Sequence, residues 1–233
     1  MNLDIILFAV LPYVAIAIEL VASIWRYFSN AYKFSSLSSE FLENRQLFWG
    51  SVPWHYGIMM VLLGHLVAFL FPQEIMLWNS HSVRLVILEV TALIFGLLAL
   101  VGLVMLIYRR FTNARIQAVT TRMDIVVLLI LLVQVASGLG IATTLRWGSS
   151  WYVAVLVPYL RSLLTLQPDI TAIAATPWLV KLHVLNAFVF VGILPFTRLV
   201  HFLILPISYM WRSCQVVIWY QDPKKKYNSQ RRN

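Results

Sequence analysis

The chain has 233 residues, 61% of them hydrophobic, with a mean hydropathy of +0.80 and a net charge of +9. So much apolar surface excludes a water-soluble domain of this length, and the basic residues fall in loops and tail, as membrane orientation requires, which argues against a nucleic-acid partner. The single cysteine, Cys214, excludes an internal disulfide, a cysteine-ligated iron–sulfur cluster and a C-x-x-C-H haem attachment.

Several apolar runs reach the roughly 20 residues that cross a hydrocarbon core of about 30 Å. Lipid offers no partner to an unpaired backbone group, so each run should be a helix. The expectation is an all-α integral membrane protein, a five-transmembrane-helix bundle forming one domain over residues 1–233.

The first span, residues 3–28, holds Pro12 and Glu19 and ends in Trp25-Arg26-Tyr27, an aromatic and basic anchor. It lacks the basic flank and small-residue cleavage site of a signal peptide, so it is expected to be retained. A polar loop, 29–50, leads to the second span, 52–72 (VPWHYGIMMVLLGHLVAFLFP), which carries His55 and His65. The loop 73–85 contains Glu74, His81 and Arg84; His81 reads as an interfacial loop residue rather than a proton carrier. The third span, 86–108, contains Glu89 and ends at Arg109-Arg110, and the fourth runs over 124–145. Trp151–Leu166 is apolar but interrupted by Pro158 and Arg161, which suggests an interfacial helix or a re-entrant cap over one face. The fifth span, 179–206 (LVKLHVLNAFVFVGILPFTRLVHFLILP), carries His183, Arg198 and His201, and a basic tail follows over 207–233.

Most Lys and Arg lie in the loops after the first and third spans and in the tail. The other side holds only Arg84, Arg146, Arg161 and Lys181. The positive-inside rule therefore puts the N-terminus outside and the C-terminus in the cytoplasm of a cell membrane crossed five times.

This topology orders the histidines by depth. His65 and His183 fall toward the outer face, His55 and His201 toward the cytoplasm. Each pair can clamp a metal between two antiparallel helices. Along a helix the pairs are about 15 Å apart on the second span and about 27 Å on the fifth, a mismatch that a kink at Pro195 is expected to absorb. Two neutral imidazoles suit axial haem ligation, and no cysteine or carboxylate lies near enough in sequence to complete a zinc site. Arg198, one turn before His201, suits a haem propionate. Gly57 and Gly64 would let a flat macrocycle approach the backbone. The bland alternative is that the histidines are hydrogen-bonded polar residues packing the bundle.

The segments LPYVA…WRY, SVPWHYGIMMVLLGHLVAFLFP, YRRF…R…AVTTRMDI and KLHVLNAFVFVGILPFTRLVH resemble the γ subunit of respiratory nitrate reductase, a diheme cytochrome b, over nearly the whole chain. The resemblance implies two b-type haems. His65 and His183 would ligate the distal haem iron, and His55 and His201 the proximal one. It implies an iron–sulfur subunit and a molybdopterin catalytic subunit on the cytoplasmic side, membrane lipid around the helices, and quinol as the electron donor. The quinol site it implies adjoins the distal haem and includes Gly64. Arg84 stands where the family has a lysine. Arginine keeps the charge but does not exchange a proton as lysine does. Glu89, beyond Arg84, would take a quinol proton or pair with that arginine. Electrons would then pass through the distal and proximal haems to nitrate reduction in a partner subunit. The same kind of haem anchor could serve a nitrite oxidoreductase or a heterodisulfide- or sulfite-reductase-like complex. A haem-free transporter or anchor is the reading from a different class.

Overall fold

The computed structural model describes residues 3–29 and 45–199. His201 and the tail 207–233 lie outside the described residues, as does most of the loop after the first span. Among the described residues there is no strand. Five helices are long and apolar enough to cross a membrane. Helix α1 comprises Leu3–Ile5, a π-helical turn Ile6–Val10 and Leu11–Ser29. It is followed by α2 (Arg45–Leu70), α3 (Ser82–Thr112), α4 (Arg122–Thr144) and α5 (Trp178–Ile193).

Proline explains the two π-helical turns. Pro12 has no N–H to give Phe8, and its ring crowds that carbonyl, so a regular α turn cannot pass through it. The turn Ile6–Val10 widens just before Pro12, and Tyr152–Leu156 widens just before Pro158 in the same way. The second turn lies inside a continuous helix made of Gly148–Trp151, Tyr152–Leu156 and Val157–Leu164. This is the apolar patch that the sequence reads as an interfacial or re-entrant cap. The buried Tyr159 of the cap donates its hydroxyl to Phe8 O at 2.8 Å, satisfying the carbonyl that Pro12 abandons. Tyr13 of α1 returns a bond to Leu163 O at 3.0 Å. Tyr159→Phe leaves Phe8 O unpaired and is expected to cost about 1–3 kcal/mol. Leu163 O has a second donor in Leu166 N, so Tyr13→Phe should cost less. Thermal melts of both variants in detergent check the order.

The spans pack as a row: α1 against α5, α5 against α4, α4 against α3, and α3 against α2. The α2–α3 seam is the most extensive, and glycine makes it possible. A Cβ on Gly57 would stand 2.5 Å from Ala99 N, and one on Gly102 would stand 2.3 Å from Trp54 N. Gly57 therefore serves helix packing rather than the approach of a macrocycle, which corrects its expected role. At Gly64, by contrast, a Cβ would meet nothing within 4 Å.

The fifth span differs most from expectation. The α-helix stops at Ile193, tightens into a 3-10 turn at Leu194–Phe196, and reaches extended backbone at Thr197 (φ −102, ψ 172). Pro195 is the cause, as the missing N–H predicts, but the result is an end to the α-helix and not a kink within it. The end is secured locally. Thr197 Oγ1 bonds Leu194 O at 2.7 Å, and Arg26 of α1 donates to Pro195 O.

Candidate functional site

The two histidines of α2 are exposed and oriented by their own helix. His55 Nδ1 meets Ser51 O at 2.7 Å, and His65 Nδ1 meets Val61 O at 2.8 Å. A backbone carbonyl accepts only, so Nδ1 carries the proton in both rings and the Nε2 lone pair is the coordinating position. His65 is also held from the side. The ring of Tyr152, in the π turn of the cap, stands edge-on to it with centroids 5.1 Å apart, and the Tyr152 hydroxyl reaches His65 O at 3.4 Å.

His183 on α5 is half-buried against α4. Ser137 donates its hydroxyl to Gln134 O at 3.1 Å, so its oxygen accepts from His183 Nδ1 at 2.9 Å. Gln134 Nε2 lies 3.1 Å from His183 Nε2, while its carbonyl accepts from Asn186 Nδ2 at 2.7 Å. Asn186 is fixed in turn by Ile130 O at 3.0 Å. Gly138 leaves room for the ring, since a Cβ there would sit 3.0 Å from His183 Cε1. Three polar side chains thus hold one imidazole, and none of them was singled out from sequence. The signal was available in Gln134, an amide inside an apolar run.

The cap links the helices of His65 and His183: Tyr152 stands against His65, and Leu156 and Tyr159 share a buried cluster with Val180 and Val184 of α5. The helices that carry them are not a closely packed pair; α2 rests on α3, and α5 on α4 and α1. Among the described residues no three His, Cys, Asp or Glu side chains gather into a metal cage. The donors on offer are imidazoles: His55 and His65 with Nδ1 engaged, and His183 with Nδ1 on Ser137 and Nε2 beside the Gln134 amide; imidazole is a common axial ligand of haem iron.

The remaining expected site residues are dispersed. Arg198 pairs with the buried Asp124, Nε to Oδ1 at 3.5 Å, beside Arg110 at 3.1 Å. Asp124 also closes a capping box with Thr121 at the start of α4. Arg198 therefore helps tie three helices together at the basic end, a role its sequence position did not suggest. Glu89 is engaged by the cap: its carboxylate accepts from Ser149 N at 2.7 Å and Ser149 Oγ at 2.6 Å, a favourable place for negative charge at a helix start. Asn79 reinforces that junction through Ser149 and Ser150. Glu19 accepts from Ser23 at 3.0 Å. Arg84 lines an open recess of about 370 Å³ with His81, Ser82 and Val83; Gly64 and Glu89 do not line it.

Comparison with known proteins adds sequence kinship to this geometry. The profile of the nitrate reductase gamma subunit matches residues 4–220. The nitrate reductase gamma chain of Bacillus subtilis (strain 168) is 33% identical over 212 residues, covering 89% of this chain and 95% of that protein. The respiratory nitrate reductase 2 gamma chain of Escherichia coli (strain K12) is 28% identical over 218 residues, 92% and 96% of the two chains. The nitrate reductase-like protein NarX of Mycobacterium tuberculosis (strain ATCC 25618 / H37Rv) is 34% identical over 215 residues, 87% of this chain but 32% of that protein.

Proposed function

The chain belongs to the nitrate reductase gamma subunit family and is a multi-pass membrane electron-transfer subunit of such a complex; from that premise we propose that it oxidises quinol and conducts the electrons through two b-type haems to nitrate-reducing partners. The observation that carries the reading is the cap's contact with both histidine-bearing helices: Tyr152 stands against His65, and Leu156 and Tyr159 share a buried cluster with Val180 and Val184 of α5. In the proposal these two ligate the distal haem, and His55 ligates the proximal one together with His201. Haem supplies reversible one-electron chemistry when bound.

The chain's own residues do the rest. Val61 O, Ser51 O and Ser137 Oγ hold the Nδ1 protons, which fixes the ring orientations and makes Nε2 the coordinating atom; at His183 a ligand would take the place of the Gln134 amide. Tyr152 closes over His65 from the cap, and the cap itself is moored by Glu89 to α3 and by Tyr159 to α1. Arg84, at the start of α3, holds the quinol oxygen by charge and hydrogen bonding. Positive loops at the other end of the bundle suit an iron–sulfur subunit and a molybdopterin subunit on the cytoplasmic side.

Arg84→Gln tests the quinol route. In membranes carrying the whole complex, quinol-driven nitrate reduction should fall about tenfold or more, while nitrate reduction driven by a reduced viologen that feeds the partners directly stays within a factor of about two. Equal loss of both activities would show a damaged complex, and loss of neither would remove Arg84 from the quinol path.

A further inference from the structure

Arg84 and His81 stand in the same recess, about 370 Å³ in volume and open on one side. Small-molecule sites occupy about 300–1,000 Å³, so a quinol head group fits. The recess lies where the short helix Pro72–Asn79 hands over to α3, with His81 immediately before Ser82. The guanidinium of Arg84 lies over the Trp78 ring at 5.4 Å, and its Nε is buried with no hydrogen-bond partner among the described residues. The terminal N–H groups of a guanidinium can donate to a phenolic oxygen. A guanidinium can hold that oxygen but does not take its proton, because it stays charged in proteins.

The recess supplies one other titratable side chain, His81. Glu74 on the helix Pro72–Asn79 does not line it, and Glu89 on α3 is engaged by Ser149. We propose that His81 is the proton acceptor for quinol held against Arg84, so that one residue binds the oxygen and its neighbour deprotonates it. The proposal rests on the reading that quinol is oxidised at Arg84. One quinol becomes one quinone, and its two electrons leave singly to haem. The O–H proton of the oxygen held at Arg84 passes to the imidazole and then to water at the open side, and the proton of the opposite oxygen leaves directly to water. Imidazole is suited to the task because a ring nitrogen can accept a proton, which a guanidinium cannot.

The experiment uses the assembled complex, a water-soluble quinol as electron donor, and stopped-flow detection of haem reduction across the pH range in which imidazole titrates. The base must be neutral to act, so the wild-type rate falls as pH drops. His81→Gln should slow reduction about 100-fold at neutral pH and abolish that acid limb. Equilibrium binding of the corresponding quinone should stay unchanged, and added imidazole should restore part of the rate. Arg84→Gln should instead weaken quinone binding about tenfold. A His81→Gln complex with the wild-type rate and an intact acid limb overturns the proposal and leaves the quinol site standing. An Arg84→Gln complex with unaltered quinone binding and turnover removes quinol from the recess, and the proposal falls with it.

Discussion

Replacing either His65 or His183 with alanine is expected to remove the same haem and to leave the other in place. The two residues come from helices that rest on different neighbours and that the cap links, through Tyr152 at His65 and a buried cluster with Val180 and Val184. Each ring has its Nδ1 proton committed, to Val61 O in one case and Ser137 Oγ in the other, so Nε2 is the coordinating atom in each, at His183 once the Gln134 amide gives way. Losing one axial imidazole deletes a coordinate bond outright, whereas Ser137→Ala loses only the orienting hydrogen bond. Such outer contacts are worth about 10–100-fold in metal affinity, so Ser137→Ala should load the haem weakly rather than not at all. Redox titration of the variants decides the pairing: His65→Ala and His183→Ala must lose the same potentiometric component. If His65→Ala and His55→Ala share a missing component instead, the assignment by facing helices is wrong.

Gly102→Ala should have the largest effect on assembly of the bundle itself. The added carbon would lie 2.3 Å from Trp54 N, 2.7 Å from Trp54 Cα and 2.8 Å from Gly50 O. All three are backbone atoms of α2, so no rotamer change relieves the contact and the two helices must part. Overpacking usually costs about 1–3 kcal/mol, and displacement of backbone along the most extensive seam belongs at or above the top of that range. Against a total stability of about 5–15 kcal/mol, that is enough to depress accumulation of folded protein. Gly64→Ala is the control, since its Cβ meets nothing within 4 Å and alanine is the better helix former by about 0.5–1 kcal/mol. Detergent melting temperatures should drop for Gly102→Ala and hold or rise for Gly64→Ala; equal behaviour of the two would refute the glycine seam.

The spans were legible because lipid makes them so. A long apolar run has no way to satisfy its backbone except as a helix, and length then reveals each crossing. The cap was legible in outline from Pro158 and Arg161, which break a run too short to span. What sequence alone could not supply was register between distant segments. Gln134 and His183 are 49 residues apart, Ser149 and Glu89 are 60, and Tyr152 and His65 are 87. Each pair is set by how whole helices pack, so Tyr152, Gln134, Ser137 and Asn186 went unnoticed as neighbours of the imidazoles. The same limit explains the reassignments. Gly57 sits beside His55 in sequence but faces Ala99 of α3, and Arg198 sits one turn before His201 in sequence but pairs with Asp124 of α4. Pro195 was noticed for the right reason, its missing N–H, but whether the chain bends or ends there depends on partners. The α-helix stops before it, and Arg26 and Thr197 Oγ1 donate to Pro195 O and Leu194 O there.

The most direct test of the central claim is the dithionite-reduced minus oxidised spectrum of the purified chain, with the extracted haem quantified. The proposal predicts a b-type α band and two haems per chain, reduced to one by His65→Ala or by His183→Ala. A folded chain with no Soret or α band would contradict the account and leave His65 and His183 as hydrogen-bonded packing residues of the bundle.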